Sequence, residues 1–356
     1  WVNEEVKMDS FFEHKERLFV VQENYPTPSG LVTETATPSQ LARALKAEIP
    51  EIEYATSAIT PDWFDVKQGI ITKGETKMKA VGQLVESDYF KLFSWEILAG
   101  NKAELLTDKY AVVLSDELAI KLFGDAKNVI GKTIDWTHED FSGQFQVTGI
   151  FAKPSQYASV QFDAIFNYQF FFEESNDDFK DWGNSNPETY VLVKKGTAIP
   201  ALNENIKNFH RDKFKELKGE EWLSAIGTIF LQQYGDQYLY NQFENGQQSG
   251  GRIRYVRLFT IIGIFILLLA SINFMNLSTA KASQRRNEIG IKKAIGASQN
   301  SIITQFLGES ILLTFCALGI ALLLVLWFLP EFNQITGKQI QLTFSTNLIG
   351  AILGIT

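Results

Sequence analysis

The sequence has 356 residues, enough for two or three domains, and its 45% hydrophobic and 21% charged content suits an ordinary soluble protein. That average hides a division, because residues 258–356 hold six Lys/Arg and three acids, which leaves 27 basic and 38 acidic residues in 1–257. An acidic part of net charge −11 is therefore joined to an apolar part with basic loops. This balance excludes nucleic acid binding, which requires a clustered basic face.

The first 60 residues predict a strand, a helix and a second strand. "RLFVVQEN" (17–24) has the composition of a strand, and "IEYATSAI" (52–59) can pair with it. Between them, "PSQLARALKAEIP" (38–50) predicts a helix with Thr37 as its N-cap and Pro38 at its first position. Together they form a unit typical of an α+β layer.

A second such unit comes late in the acidic part, with a strand at 189–196, a helix at 199–217 and a strand at 226–234. Residues from about 95 to 180 contain short β-branched and aromatic runs, and a helix at 116–124 that ends at Gly124. We therefore predict an α+β domain over 1–257: a split βαβ portion with an inserted domain at about 95–180 that forms a small sheet.

No catalytic, nucleotide or metal site is predicted in this domain. "GDAKNVIGKT" (124–133) has six residues between its two glycines, where a phosphate loop needs four. The three histidines, His14, His138 and His210, have no ligand spacing, so we expect them to be solvated at the surface. The acidic run 173–181 lacks the pattern of a calcium loop, and a solvated loop is expected there.

Two later segments are long and apolar enough to cross a membrane, at 258–280 and 310–330, and a third begins at 342 and runs to 356. The two complete segments contain no Asp, Glu, Lys, Arg or His. An ion-coupled carrier usually keeps such a group near the middle of the membrane. These segments therefore give no support to secondary transport.

The segment between the two spans, 281–309, carries five Lys/Arg and is expected to lie in the cytoplasm by the positive-inside rule. Residues 1–257 would then be extracytoplasmic. A helical wheel over 288–306 places four apolar residues on one side and Arg286, Gly290, Lys293 and Ala297 on the other, which predicts one amphipathic helix. The segment could dock a partner, or it could merely connect the spans and fix their orientation.

"ASQRRNEIGIKKAIGASQNSIITQFLGESILL" (282–313) resembles the signature of MacB/FtsX-type ABC transporter permeases. Three upstream stretches resemble the extracytoplasmic domain of the same family: "SDYFKLFSWEILAGN" (87–101), "VVLSDELAIKLFGDAKNVIGKTI" (112–134) and "VTGIFAKPSQYASVQFDAIF" (147–166). In that family a porter-like βαβ portion holds an inserted, β-rich sabre-like portion, and a transmembrane helix precedes the domain. The sequence is therefore expected to be a piece of a longer protein.

The resemblance implies a non-catalytic permease subunit of the bacterial inner membrane, in contact with membrane lipid and with no cofactor of its own. A separate cytoplasmic ATPase would bind ATP and push two permease copies, a homodimer or pseudo-dimer, together in mechanotransmission. The family leaves room for a periplasmic or outer-membrane partner. The residues that match its ATPase-coupling segment are Arg285, Arg286, Glu288, Gly290, Lys292, Lys293, Ala294, Gly296, Ala297 and Ser298.

One alternative remains from the sequence: a membrane-anchored sensor whose extracytoplasmic domain binds a ligand and signals through the same charged segment. A sensor would need a signalling domain, whereas a permease needs an ATPase. The sequence does not name the substrate, because the predicted insert carries no readable binding motif.

Overall fold

The computed structural model describes residues 1–126 and 128–336, and for 282–284 and 335–336 only the backbone is considered. It contains two compact units, Val2–Val256 and a second unit that holds Trp1 and the chain from Arg257 onward. The predicted segment 342–356 lies outside the described residues.

The described residues of the first unit form an α/β structure whose strands and helices alternate irregularly. The strands are β1 (Leu18–Thr27), β2 (Gly30–Glu34), β3 (Ala36–Pro38), β4 (Ile52–Ile59), β5 (Gln68–Lys73), β6 (Thr76–Val85), β7 (Ile97–Ala99), β8 (Ala111–Ser115), β9 (Thr133–Thr137), β10 (Ser142–Phe151), β11 (Ala164–Asn167), β12 (Ser185–Val193), β13 (Thr228–Gln233), β14 (Gln242–Glu244) and β15 (Gln247–Gly250). The helices are α1 (Val2–Val6), α2 (Leu41–Glu48), α3 (Tyr89–Leu92), α4 (Asp116–Phe123), α5 (Tyr168–Glu174), α6 (Ile199–Ile206), α7 (Phe209–Lys218) and α8 (Tyr234–Gln237).

Six strands close into a ring. Their order is β6, β11, β8, β10, β9 and β5, and β5 returns to β6; the β6–β11 and β8–β10 pairs are parallel and the others antiparallel. The open part of the sheet, in the order β4, β12, β1 and β13, joins the ring where β4 pairs with β6. A closed ring leaves its own strands without free edges.

The ring corrects the predicted insert in two respects. Its strands do not form a small sheet apart from the flanking ones, because β6 pairs with strands of both parts. It also begins at Gln68, upstream of the predicted boundary at 95, because β5 and β6 are members of the ring. The division into porter-like and sabre-like portions stays a prediction.

The interior of the ring is filled by side chains at alternate positions of its strands, as a small closed barrel requires. The largest is Trp136 on β9, which is 2% exposed. A Cβ atom on Gly69 would lie 2.3 Å from the Trp136 ring, and one on Gly82 would lie 3.1 Å from it. Glycine at these two strand positions therefore makes the space that the indole fills.

Two further cores cover the faces of the open sheet. On one face, Val21 and Val191 pack with residues of α2, α6 and α7. On the other face, Val20 and Leu192 pack against aromatic residues of the 89–95 segment and against the outer face of the ring. The alternation of neighbouring residues between the two cores follows the pleat of the strands.

The predicted first helix begins later than expected. Thr37 and Pro38 belong to β3, where the Thr37 hydroxyl lies 2.7 Å from the Thr189 hydroxyl and Pro38 pairs with Ser185, and α2 begins only at Leu41. The predicted helix 199–217 is also wrong as one element. It breaks between α6 and α7 because the Lys207 carbonyl accepts a hydrogen bond from the Ile229 amide, 3.0 Å away.

The helix at 116–124 is confirmed: α4 runs from Asp116 to Phe123, with Gly124 in the left-handed region at φ 77°. The expectation of solvated histidines is wrong for His210, which is 1% exposed. Its ring nitrogens lie 2.8 Å from a Glu23 carboxylate oxygen and 2.6 Å from the Trp182 carbonyl oxygen. The His138 side chain is also buried, with Nε2 2.5 Å from the Val66 carbonyl oxygen.

The described part of the second unit consists of three consecutive helices, α9 (Ile253–Gln284), α10 (Arg286–Ala294) and α11 (Gln299–Thr336); α9 begins within the first unit. Two stretches are long and apolar enough to cross a membrane, Ile253–Lys281 and Gln299–Gln334. Both helices extend beyond the predicted spans of 258–280 and 310–330.

Candidate functional site

The predicted coupling segment forms a short helix between two long ones. α9 ends at Gln284, α10 occupies Arg286–Ala294, and α11 begins at Gln299. The continuous amphipathic helix predicted over 288–306 is therefore wrong, because four residues between Ala294 and Gln299 are not helical.

Gly296 explains the break. Its φ is +95°, a conformation that disfavours residues with a Cβ. The Gly296 amide donates to the Lys293 carbonyl at 3.0 Å, and the Ala297 amide donates to the Lys292 carbonyl at 3.0 Å. These two bonds are the Schellman motif, in which a left-handed residue ends a helix and satisfies its last carbonyls.

Ser298 then starts the next helix. Its Oγ accepts a hydrogen bond from the Ser301 amide at 3.3 Å, which is the N-cap arrangement for a helix that begins at Gln299. The pair Gly296 and Ser298 thus sets a sharp turn between α10 and α11. Both residues belong to the segment that matches the family motif, and each has a structural role: Gly296 ends α10 and Ser298 caps α11.

α10 is bound to α11 by charged and polar side chains. The Arg285 guanidinium donates two hydrogen bonds to the Glu309 carboxylate, at 2.6 and 2.7 Å, and also lies over the Phe306 ring, 5.2 Å from its centre. Lys292 contacts Glu288 at 2.8 Å and the Gln305 amide oxygen at 3.0 Å. A bidentate Arg–carboxylate pair fixes orientation as well as distance, so these contacts hold the short helix against the long one.

The same contacts shift the acid–base behaviour of two groups in the segment. The hydrogen bond from Lys292 lowers the pKa of Glu288 below its usual value, and the hydrogen bond to Glu309 raises the pKa of Arg285 above its own. Both groups are solvent-exposed, so water and salt screen these interactions. Both groups stay charged at neutral pH, so the main effect of these contacts is to fix the geometry of the segment.

The outward side of α10 is different. Arg286, Gly290 and Lys293 are exposed, and the Arg286 and Lys293 side chains make no ion pair with any residue in 1–126 or 128–336. Two apolar residues, Ile291 and Ile295, are 61% and 81% exposed. Arg286, Gly290 and Lys293 therefore lie exposed on one side of α10, and the isoleucines are exposed on another side and just after its end.

The ten predicted site residues divide accordingly. Arg285, Glu288 and Lys292 form intrachain ion pairs, Gly296 and Ser298 cap helices, and Arg286, Gly290, Lys293 and Ala294 lie exposed on α10; Ala297 is half-buried in the turn. Sequence reasoning missed the role of Glu309. An acid directly before the apolar run 310–330, downstream of two arginines, was the available signal for it.

Across 1–126 and 128–336, no group of three or more His, Cys, Asp or Glu residues is placed to hold a metal ion. In the acidic run 173–181, Glu173 pairs with Lys109 and Asp181 pairs with Lys218, each at 2.7 Å. The 285–298 segment offers exposed charged and apolar side chains for contact with a partner.

The first unit contains a charged cleft of about 620 Å³ between α2 and α5. Arg43 reaches across it, donating to Glu86 at 2.5 Å and to Gln169 at 2.6 Å. Burial raises the pKa of Glu86, and Arg43 offsets that rise in part. Through Arg43, α2 of the open sheet is hydrogen-bonded across the cleft to α5, which follows the last strand of the ring.

Two family models cover most of the chain. Residues 1–209 match the MacB-like periplasmic core domain, and residues 260–356 match the FtsX-like permease C-terminal domain. Two membrane-length helices with a charged segment between them agree with these matches, which define a membrane permease. The chain belongs to the MacB/FtsX-type permease family.

Relatives resemble the chain over limited stretches. The macrolide export ATP-binding/permease protein MacB of Shewanella sp. (strain W3-18-1) is 36% identical over 96 residues, which is 26% of this chain and 14% of that protein. The MacB protein of Escherichia coli is 30% identical over 151 residues, 38% of this chain and 23% of that protein. The matched stretches thus span less than a quarter of these two relatives.

A solved structure resembles part of the chain in fold. It is a permease-protein domain from Porphyromonas gingivalis with a TM-score of 0.50 and 19% sequence identity, and the match covers 63% of this chain and 93% of that one. At this identity the likeness concerns the fold alone.

Proposed function

We propose that the chain is a permease subunit of an ABC transporter that works by mechanotransmission. A separate cytoplasmic ATPase would move the 285–298 segment, and the movement would pass along α9 and α11 to an extracytoplasmic Val2–Val256 unit, which exports or releases a substrate on the far side of the bacterial inner membrane. In this proposal the chain carries no ATP site, works with a second permease copy, and catalyses no reaction itself.

The observation that carries the proposal is that α10 contacts α11 on one side and is exposed on another. Its inner side is held to α11 through the Arg285–Glu309 pair and the Lys292–Gln305 contact. Another side of α10, with Arg286, Gly290 and Lys293, is exposed and makes no ion pair in the described part of the chain, and Ile291 and Ile295 are exposed as well. A helix held to a membrane span on one side and open to solvent on the other can pass a push from a partner to that span.

The orientation rests on charge. The five Lys/Arg of 281–309 lie between the two spans, which favours a cytoplasmic position for α10. Arg252, Arg254 and Arg257 precede the first span, but long domains cross the membrane regardless of nearby charge. The Val2–Val256 unit would then lie outside the cytoplasm.

Cysteine crosslinking to the ATPase tests the proposal. Cys316 is exposed and must first be replaced, for example by Cys316→Ala. Cysteines at Gly290 and Lys293 are expected to crosslink to the cognate ATPase with yields that change on addition of ATP. A cysteine at Tyr255, which is 61% exposed at the opposite end of α9, is the control and should give no crosslink. Absence of crosslinks at every position from 285 to 298 would contradict docking.

A further inference from the structure

A cavity of about 330 Å³ lies between the end of α9, α10 and the start of α11. Its polar lining consists of Ser278, Lys281, Arg285, Glu309 and Ser310, which form a polar rim. Phe274 and Leu313 lie further along α9 and α11 and form an apolar wall, whereas Phe306 lies beside Arg285 at the level of the rim. Phe274 precedes Lys281 by seven residues, so at 1.5 Å per residue it lies about 10 Å deeper along α9.

The rim carries one uncompensated positive charge. Arg285 and Glu309 neutralise each other through their two hydrogen bonds. Lys281 makes no ion pair within 4 Å of any group in the described portions of the chain. The hydroxyls of Ser278 and Ser310 add two donors to the rim, so the cavity offers a cation and hydroxyl donors above an apolar wall.

We propose that this cavity binds an anionic phospholipid of the cytoplasmic leaflet. The phosphate accepts from the Lys281 ammonium and the serine hydroxyls, and the upper part of an acyl chain lies along Phe274 and Leu313. The choice of leaflet rests on the proposed function, which places α10 in the cytoplasm. Basic pockets between membrane helices on that side are suited to anionic headgroups.

Charge complementarity selects this occupant over the alternatives. The 281–309 segment has five basic and two acidic residues, which favours a negatively charged ligand. Residues 337–356 of the same chain contain one lysine and no acid, so they supply no anion for Lys281. A free phosphate ion would leave the apolar wall exposed to water. A phospholipid places its phosphate at the polar rim and covers the apolar wall with an acyl chain.

Native mass spectrometry of the intact permease, released from nanodiscs of equal parts dioleoyl phosphatidylglycerol and dioleoyl phosphatidylcholine, tests the proposal. The wild-type protein is expected to retain phosphatidylglycerol in preference. Lys281→Gln should reduce that retention about fivefold, the usual effect of one basic residue near an anionic surface. Lys293→Gln is the matched control, because it removes the same charge from the same loop without lining the cavity, and should change retention less than twofold.

The ion pair provides a second test of opposite sign. Glu309→Gln removes the carboxylate and leaves Arg285 free to face the lipid, so retention of phosphatidylglycerol should rise. Arg285→Gln leaves the Glu309 carboxylate uncompensated at the rim, so retention should fall. A variant that only perturbs folding would lower retention of both lipids together, which would count against the proposal.

The proposal is overturned if the wild-type protein shows no preference between the lipids, or if Lys281→Gln and Lys293→Gln weaken retention equally, since general surface attraction would then suffice. The measurement contains no ATPase. A permease that selects phosphatidylglycerol but ignores the ATPase contradicts only the proposed function, and one that couples to the ATPase without lipid selectivity contradicts only this inference.

Discussion

Replacing Gly290 by alanine should affect the stability of α10 and the binding of the ATPase in opposite directions. Gly290 lies inside α10 with ordinary helical backbone, and a Cβ atom built there meets no atom within 4 Å. Alanine should therefore favour the isolated helix by up to about 1 kcal/mol. If the ATPase backbone approaches closely at this point, the added methyl group overpacks the interface at a cost of about 1–3 kcal/mol.

That cost corresponds to a Kd for the ATPase that is about five- to 150-fold weaker. The assay is titration of the ATP-bound ATPase against the permease in nanodiscs, with hydrogen exchange of α10 measured in the same samples. Gly308→Ala is the matched control, because Gly308 also lies in a helix and also has open space at its Cβ position. Slower exchange in α10 together with a Kd within twofold of wild type would refute close approach at Gly290.

Three further substitutions test the fold and the turn in the intact protein. Gly296→Ala places a Cβ atom on a residue with φ +95°, at a cost of about 1–2 kcal/mol. Permease-stimulated ATP hydrolysis should therefore fall. Gly296→Asn should retain more of this hydrolysis than Gly296→Ala, because asparagine tolerates the conformation better. Gly69→Ala puts a Cβ 2.3 Å from the Trp136 ring, so hydrogen exchange should quicken throughout the ring strands, whereas Gly235→Ala, with open space at its Cβ, should leave exchange unchanged. Burial raises the pKa of Glu188 above its ordinary value of 4.5, so the folded state binds the proton more tightly than the unfolded chain does. The stability that this group contributes should therefore fall as the pH rises above 4.5. In thermal unfolding followed from pH 5 to 8, Glu188→Gln should remove this fall in stability with pH.

Local patterns were sufficient for several elements of the fold. Strand β4 occupies the predicted residues 52–59, and α4 ends at Gly124 as its left-handed conformation requires. These features depend on side-chain periodicity and on one residue's backbone freedom. Both properties can be read within a window of about ten residues.

The closed ring lay beyond such patterns. It depends on β5 and β6 pairing with strands 63 to 82 residues downstream, as in the pairing of Gly82 with Ala164. Strand-like composition says that a segment will pair, but not with which partner. The glycines that admit Trp136 were visible in the sequence, yet their purpose appears only when Gly69, Gly82 and the indole are brought together.

Burial of polar groups was also beyond the sequence. His210 was expected at the surface because it has no neighbouring ligand residues, but its partners, Glu23 and the Trp182 carbonyl, are distant in sequence. Glu309 is a similar case at the coupling segment. Its partner Arg285 lies 24 residues earlier, and only the turn set by Gly296 and Ser298 brings the two together.

The claim that movement enters at α10 is tested most directly by following the Val2–Val256 unit while the ATPase works. Hydrogen exchange of that unit is measured in nanodiscs with the ATPase, with and without ATP, for the wild-type permease and for the double variant Arg286→Glu, Lys293→Glu. The account predicts an ATP-dependent change in the wild type that is absent from the double variant, although the ATPase alone still hydrolyses ATP. An equal ATP-dependent change in the double variant would contradict it.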